Sequence, residues 1–221
     1  MVDSVTRGRP TVVLFDIGSQ GTPKAVLFDI GNVVVRWDPR VLYSKIFPDP
    51  GERDRFLAEV CTIAWHGETD RGMSFADNIR LLSQKHPEHA AAIAAWWDRW
   101  PEMFSGNITE TESVIEDLHA RGVPMFGLSN MSTEAWPGVR AMSPAFARFR
   151  DTVISGAEGT IKPEPRIYEI ACERAGLIPQ DFLFVDDNAP NIAAAKAMGF
   201  HVHHFTDPAA LRPDLERYGL L

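Results

Sequence analysis

The second half of the chain alternates between short apolar runs and segments of helical spacing, and no other feature of the sequence narrows the fold as far. Val123–Leu128, Thr152–Ser155, Phe182–Val185 and Val202–Phe205 have the length and apolar content of strands. Between them, Thr109–Ala120, Arg166–Ala175 and Asn191–Met198 carry helical periodicity, and Gly122, Gly176 and Gly199 stand where these helices should stop. Thr109-Glu110-Thr111-Glu112 supplies a capping start for the first of them. Parallel strands need a long crossover, and the helix that makes it covers the sheet. The predicted class is therefore α/β, a Rossmann-like, mostly parallel sheet with helices on both faces.

The first strand has two candidates. Val13-Leu14-Phe15-Asp16-Ile17-Gly18 recurs unchanged as Val26-Leu27-Phe28-Asp29-Ile30-Gly31. The second copy continues into the apolar Asn32-Val33-Val34-Val35-Arg36-Trp37, whereas the first runs into Ser19-Gln20-Gly21-Thr22-Pro23, a turn sequence. Asp29 is thus preferred over Asp16, and residues 1–22 read as an extension of unknown role. From Asp38 to Ser105 every periodic signal is helical and no strand is expected. Val41, Leu42 and Ile46, then Phe56, Leu57 and Val60, then the helix opened by Ser74, then Ala90–Trp97 predict a small helical bundle. The expected organisation is a core of residues 23–37 and 106–221 with a helical cap of residues 38–105.

Composition excludes several partners. The chain has 22 basic and 30 acidic residues, a net charge of −8, which repels nucleic acid and anionic membranes. No apolar run approaches the 18–20 or so residues of a membrane span, and Thr11–Phe15 is too short for a signal-peptide core. The two cysteines, Cys61 and Cys172, have no paired spacing. A cytoplasmic protein is expected, with a small ligand as partner; its oligomeric state is not legible.

In a parallel α/β sheet, ligands gather at the carboxyl ends of the strands. Those positions hold Asp29, then Ser129 and Asn130, then Lys162, then Asp186, Asp187 and Asn188. Three carboxylates, a lysine and a hydroxyl suit an anionic substrate with a divalent cation, and all-oxygen ligands point to Mg²⁺ rather than zinc. A carboxylate such as Asp29 can attack phosphorus, while Lys162 and Ser129 hold the transferring oxygens. Without neutralisation, these carboxylates would repel a carboxylate substrate.

Taken in order, Phe28-Asp29-Ile30-Gly31-Asn32-Val33, Leu128-Ser129-Asn130, Lys162-Pro163 and Phe184-Val185-Asp186-Asp187-Asn188 resemble the four motifs of the haloacid dehalogenase-like hydrolase superfamily. The resemblance covers residues 24–205. It implies that Asp29 is nucleophile and Mg²⁺ ligand, with the Gly31 carbonyl and Asp186 as further ligands and Asp187 acting through water or from the outer shell. It implies that Ser129 and the Asn130 backbone bind phosphate and that Lys162 links nucleophile and phosphate. The segment 38–105 is similar to the small cap of one branch. Phosphatases of the superfamily usually carry a second Asp two positions after the nucleophile as general acid and base, and here that position is Gly31. The Asp-x-Gly-Asn form resembles a bacterial subgroup of sugar-phosphate phosphatases, including one acting on glucose 1-phosphate. The expected function is hydrolysis of a small phosphomonoester through an aspartyl-phosphate. The alternatives are metal-free 2-haloacid dehalogenation at the same Asp29, or non-catalytic binding of a phosphorylated ligand.

Two further segments bear on chemistry. Trp65-His66-Gly67-Glu68-Thr69-Asp70-Arg71-Gly72 reads either as a solvated interhelical turn or as a site element. In the second reading, Arg71 holds an anionic substrate and His66 or Glu68 supplies the proton that Gly31 cannot. Trp96, Trp97 and Trp100 read as packing rather than a sugar platform, and His201-Val202-His203-His204 does not read as a metal site, because alternate residues of a strand face opposite ways.

Overall fold

The computed structural model describes residues 21–221. The first copy of the repeated segment, with Asp16, lies outside them. The sheet has five parallel strands: β1 (Ala25–Phe28), β4 (Met125–Ser129), β5 (Asp151–Ile154), β6 (Phe182–Asp186) and β7 (His201–His204), in the order β5-β4-β1-β6-β7. Two further strands, β2 (Val35–Trp37) and β3 (Phe104–Asn107), form a separate antiparallel pair.

The apolar runs are continuous because the central strands are buried on both faces. Along β1, Val26 and Phe28 join one core cluster, while Ala25 and Leu27 join the other. The helices Thr109–Ala120 and Pro208–Arg217 cover the first face through Val114, Ile115, Leu118, Leu211 and Leu215. The helix Pro165–Ala175 covers the second through Ile167, Tyr168 and Ala171, and Ala189–Ala197 adds Ala195. Helices do lie on both faces, as expected. Connections run from β1 to β4 and β5 on one side and to β6 and β7 on the other. That reversal of direction opens a crevice at the carboxyl ends of β1 and its neighbours, where ligands of such sheets bind.

The segment expected to be free of strands is not. Helices Pro39–Tyr43, Pro50–Glu59, Ile63–Asp70, Phe75–Lys85 and Ala90–Asp98 fill it, but the chain enters and leaves them through β2 and β3. Phe104-Ser105-Gly106-Asn107 carries no apolar alternation, and its partner is some seventy residues away, so periodicity could not reveal it. Two smaller expectations also fail. Thr109 is the first helical residue rather than a cap: Ile108 occupies the cap position without a side-chain bond, and the Thr109 hydroxyl donates to Glu110 instead. Ser155 does not end a strand but opens the short helix Ser155–Glu158.

The helical insertion sits on the carboxyl edge of the sheet through a few specific contacts. Ser155 Oγ donates to the Asp70 carbonyl at 2.6 Å and accepts from the Met131 amide at 2.9 Å. The Phe75 amide donates to Glu134 Oε1 at 3.0 Å. At the seam Gly72 and Gly156 meet, and a Cβ on Gly72 would lie 3.0 Å from the Gly156 carbonyl oxygen. A Cβ on Gly156 would lie 2.9 Å from the Met131 carbonyl oxygen and 3.0 Å from the Thr133 amide, both backbone atoms that cannot rotate away. Gly156→Ala is therefore expected to destabilise the protein by about 1–3 kcal/mol, the usual cost of overpacking. A chemical denaturation midpoint unchanged from wild type would show that this seam yields freely.

Candidate active site

Asp29 leaves β1 with its amide donating to the Val185 carbonyl at 2.8 Å, which fixes the turn against β6. Its side chain accepts from the Ile30 amide at 2.7 Å and pairs with Lys162 Nζ at 2.8 Å. The same ammonium donates to Asp186 Oδ2 at 2.7 Å and to the Leu128 carbonyl at 2.9 Å. Lys162 is 3% exposed and Asp186 fully buried, so this is a desolvated ion cluster rather than a surface pair. Burial alone would strip the proton from Lys162, but Asp186 and Asp29 outweigh it and hold the ammonium above its ordinary pKa.

The carboxylates outnumber the lysine. One oxygen each from Asp29, Asp186 and Asp187 lies within 4.8 Å of the others. Burial pushes Asp29 up to about 7 against the pull of Lys162, with Asp186 adding to the rise. Asp187 is raised by burial and by Asp186. Three hard oxygen donors with excess negative charge at the head of a cleft fit a divalent cation of the Mg²⁺ type. Gly31 lines the same cleft beside Asn32, whose φ of 56° lets its amide donate to the Val35 carbonyl at 2.7 Å and so return the chain towards β2.

The cleft has a volume of about 230 Å³ and brings together Asp29, Gly31, Ser129, Asn130, Lys162 and Asp187. Asp186 stands behind it, anchored by the Asn188 amide at 2.8 Å and by Asn191 Nδ2 at 3.1 Å to each oxygen. The Asn130 side chain is used up in positioning. Its Oδ1 accepts from the Lys162 amide at 2.7 Å and its Nδ2 donates to the Lys162 carbonyl at 2.9 Å. Those two bonds fix the side chain on Lys162, and the Asn130 backbone amide is free to meet a ligand.

The opposite wall comes from the insertion and its stem. Trp37, Trp100, Phe104 and Ile63 supply an apolar surface, with His66 and Asp70 between them. The expected choice between a turn and a site element is thereby decided in part: residues Ile63–Asp70 form a helix, and His66, Thr69 and Asp70 are on its buried side. His66 is packed against Trp37, Phe75, Trp96 and Trp100, and burial pushes its pKa down to about 4. It is uncharged at neutral pH and does not suit the role of cationic proton donor. Glu68 is exposed. Arg71 is paired with Glu164 and does not line the cleft, so its expected hold on a substrate anion has no basis in the geometry.

Trp96 is fully buried and Trp97 stacks on Phe75 with ring centroids 4.2 Å apart, both packing residues as expected, but Trp100 walls the cleft. The histidine run divides as the strand pleat requires. His201 bonds the Gly21 carbonyl, His203 bonds Asp214 and His204 bonds the Asp187 carbonyl. Sequence reasoning gives no individual role to Asn32, Ser155, Asn191 or Asp70. Asn32 stands inside the first motif and Asp70 inside the segment read as a possible site element, Asn191 is signalled as a polar residue on the buried side of an alanine-rich helix shortly after the acidic pair, and Ser155 leaves no signal.

Residues 23–199 match the family model of the haloacid dehalogenase-like hydrolases. The chain belongs to that family. Its relatives include both phosphatases and dehalogenases. The chain is 28% identical to the sesquiterpene phosphatase astK of Aspergillus oryzae over 105 residues, 48% of this chain and 54% of that protein. It is 31% identical to haloacetate dehalogenase H-2 of a Moraxella strain over 93 residues, 42% of each chain. The matches thus span about half the length of these relatives. A haloacid dehalogenase family enzyme of Bacteroides thetaiotaomicron, solved with magnesium and inorganic phosphate, superposes with a TM-score of 0.62 at 21% identity, covering 82% of this chain and 93% of the other. That likeness establishes the parallel-sheet fold. No helix among the described residues is long and apolar enough to cross a membrane.

Proposed function

We propose that this haloacid dehalogenase-like hydrolase is a Mg²⁺-dependent phosphomonoesterase that works through an aspartyl-phosphate at Asp29. The observation that carries the reading is the charge balance of the cleft. Three carboxylates meet one ammonium, and among the described residues lining the cleft Lys162 is the sole cation. A 2-haloacid would have to bring a carboxylate into this excess of negative charge with no free arginine or lysine to receive it. A phosphomonoester would arrive with the cation that the carboxylates call for.

Asp29, Asp186, Asp187 and the Gly31 carbonyl would hold the Mg²⁺, which when bound neutralises charge on the phosphoryl group and on these carboxylates. Ser129 and the Asn130 backbone bind phosphoryl oxygens from the end of β4. Lys162 favours the ionised form of Asp29 and aims it, and its own position is held by Asn130. Residues 38–105 act as a cap whose aromatic wall excludes water from the reacting group. The substrate is a small phosphorylated metabolite. A sugar phosphate, glucose 1-phosphate among them, is supported by the resemblance of Asp29-Ile30-Gly31-Asn32 to that subgroup. A cytoplasmic setting is supported by the two cysteines, both buried and free of any disulfide.

The test is phosphate release from 4-nitrophenyl phosphate and a panel of sugar phosphates, with Mg²⁺ or with EDTA, beside halide release from 2-chloropropionate. Phosphate release that EDTA abolishes and Mg²⁺ restores is expected, with no halide release. Halide release insensitive to EDTA would replace this reading with dehalogenation.

A further inference from the structure

Gly31 leaves the phosphomonoesterase reading without a group to protonate the departing oxygen, and the structure supplies a carboxyl elsewhere. Asp70 is the last residue of the helix Ile63–Asp70 and lines the cleft together with Asp29 and Lys162. It is 8% exposed, and its Oδ1 is buried without a hydrogen-bond partner. The Ser132 amide bears on the carboxyl from the loop after β4, but no donor among the described residues reaches this oxygen at hydrogen-bond length. Its backbone carbonyl, not its side chain, makes the contact with Ser155 that seats the insertion.

We infer that Asp70 is the general acid and base of the reaction, delivered to the cleft from the inserted helices; this rests on the phosphomonoesterase reading. In the first half, an Asp29 oxygen bonds to phosphorus, the ester P–O bond breaks, and the Asp70 carboxyl passes its proton to the leaving oxygen. In the second, a water oxygen bonds to phosphorus, the Asp29–phosphorus bond breaks, and the water proton passes to Asp70. The ester and water become alcohol and phosphate, and both carboxyl groups return to their starting states.

The surroundings of Asp70 suit that cycle. The Trp96 indole N–H donates to His66 Nδ1 at 3.3 Å, which makes Nδ1 the acceptor and leaves the proton of this neutral ring on Nε2. Nε2 stands 3.7 Å from Asp70 Oδ1, beyond hydrogen-bond length yet close enough to orient the carboxyl. A buried carboxylate oxygen with no donor is costly when ionised, so this site favours the protonated form more than water does. Burial lifts Asp70 to about 7, opposed by Lys162 from the loop after β5 and by the Ser132 amide from the loop after β4. A carboxyl balanced near neutrality donates and accepts with similar ease. His66 is then a positioning residue.

The experiment uses three aryl phosphates of similar shape, the 2,4-dinitrophenyl, 4-nitrophenyl and phenyl esters, with the full chain and Mg²⁺. Dinitrophenolate leaves without a proton and phenolate does not. In Asp70→Asn, kcat/KM for phenyl phosphate is expected to fall by about 10²–10³, while that for the dinitrophenyl ester stays within about threefold. The alkaline limb of the wild-type pH profile should vanish with it. The variant should also release a burst of about one dinitrophenolate per enzyme before a slow steady state, because the water-activating half is impaired too. Gly31 has no atom within 4 Å of a built Cβ, so the backbone there has room for the side chain of Gly31→Asp to start. Added to Asp70→Asn, it should restore phenyl phosphate turnover by at least about tenfold. A loss of equal size for all three esters, or no loss at all, would overturn the role of Asp70 while leaving the phosphomonoesterase reading intact. If the wild type hydrolyses none of the three, both fall together.

Discussion

Lys162→Met is expected to cost about 3–5 kcal/mol of stability in metal-free buffer, the range found when one partner of a buried ion cluster is removed. For a chain of this size, that corresponds to a fall in Tm of roughly 6–20 °C. Methionine fills much of the same volume, so the loss is electrostatic rather than a cavity. The ammonium lies within 2.8 Å of both Asp29 and Asp186, and without it those carboxylates and Asp187 face one another with no counter-charge. The Leu128 carbonyl loses its donor as well.

The sign of the metal response follows from the same arrangement. A cation that binds only the folded protein stabilises it by mass action. Millimolar Mg²⁺ should therefore recover part of the lost Tm in Lys162→Met and raise the wild-type Tm as well. Thermal melts of both proteins with Mg²⁺ and with EDTA check this. A variant that melts within about 2 °C of wild type in EDTA would mean that the carboxylates are neutralised by protons rather than by Lys162.

Much of this cluster was legible in sequence because parallel strands buried on both faces read as unbroken apolar runs. Asp29 after Val26-Leu27-Phe28 and Asp186 after Phe182–Val185 stand out as the points where such a run stops. The geometry then brings Asp29, Lys162 and Asp186 into contact, although the lysine lies on a loop with no apolar run of its own to mark it. What stayed hidden depends on partners remote in sequence. Arg71 looked free until Glu164, 93 residues away, was seen to hold it. Asp70 looked like one more charge in a polar segment, since nothing local says which side of a helix meets the cleft. β3 escaped because a four-residue strand with two exposed residues has no pattern apart from its partner β2. Trp100 read as packing, and it does pack on Trp37 at 5.7 Å, but that aromatic pair is also the cleft wall.

Asp29→Asn is expected to lower kcat for phosphate release by at least about 10³-fold, the scale of loss seen when a covalent nucleophile is removed. The carboxamide keeps the shape and keeps an oxygen to accept from the Ile30 amide, now held at 2.7 Å, so the turn after β1 survives. It also removes one of three crowded carboxylates while leaving Asp186 to Lys162 at 2.7 Å. Stability should therefore be unchanged or higher, the opposite of Lys162→Met, although both variants touch the same ion cluster. That opposition separates catalytic loss from unfolding: Lys162→Met loses stability first, whereas Asp29→Asn loses turnover in a protein that melts as high as wild type. Activity within tenfold of wild type in Asp29→Asn would remove Asp29 from the mechanism. The identical Val13–Gly18 segment makes Asp16 the next residue to substitute in that case, because it carries the same carboxylate after the same three-residue apolar run. Asp16→Asn with full activity and Asp29→Asn with none is the expected pair of results, and it would assign the chemistry to the copy that stands between β4 and β6.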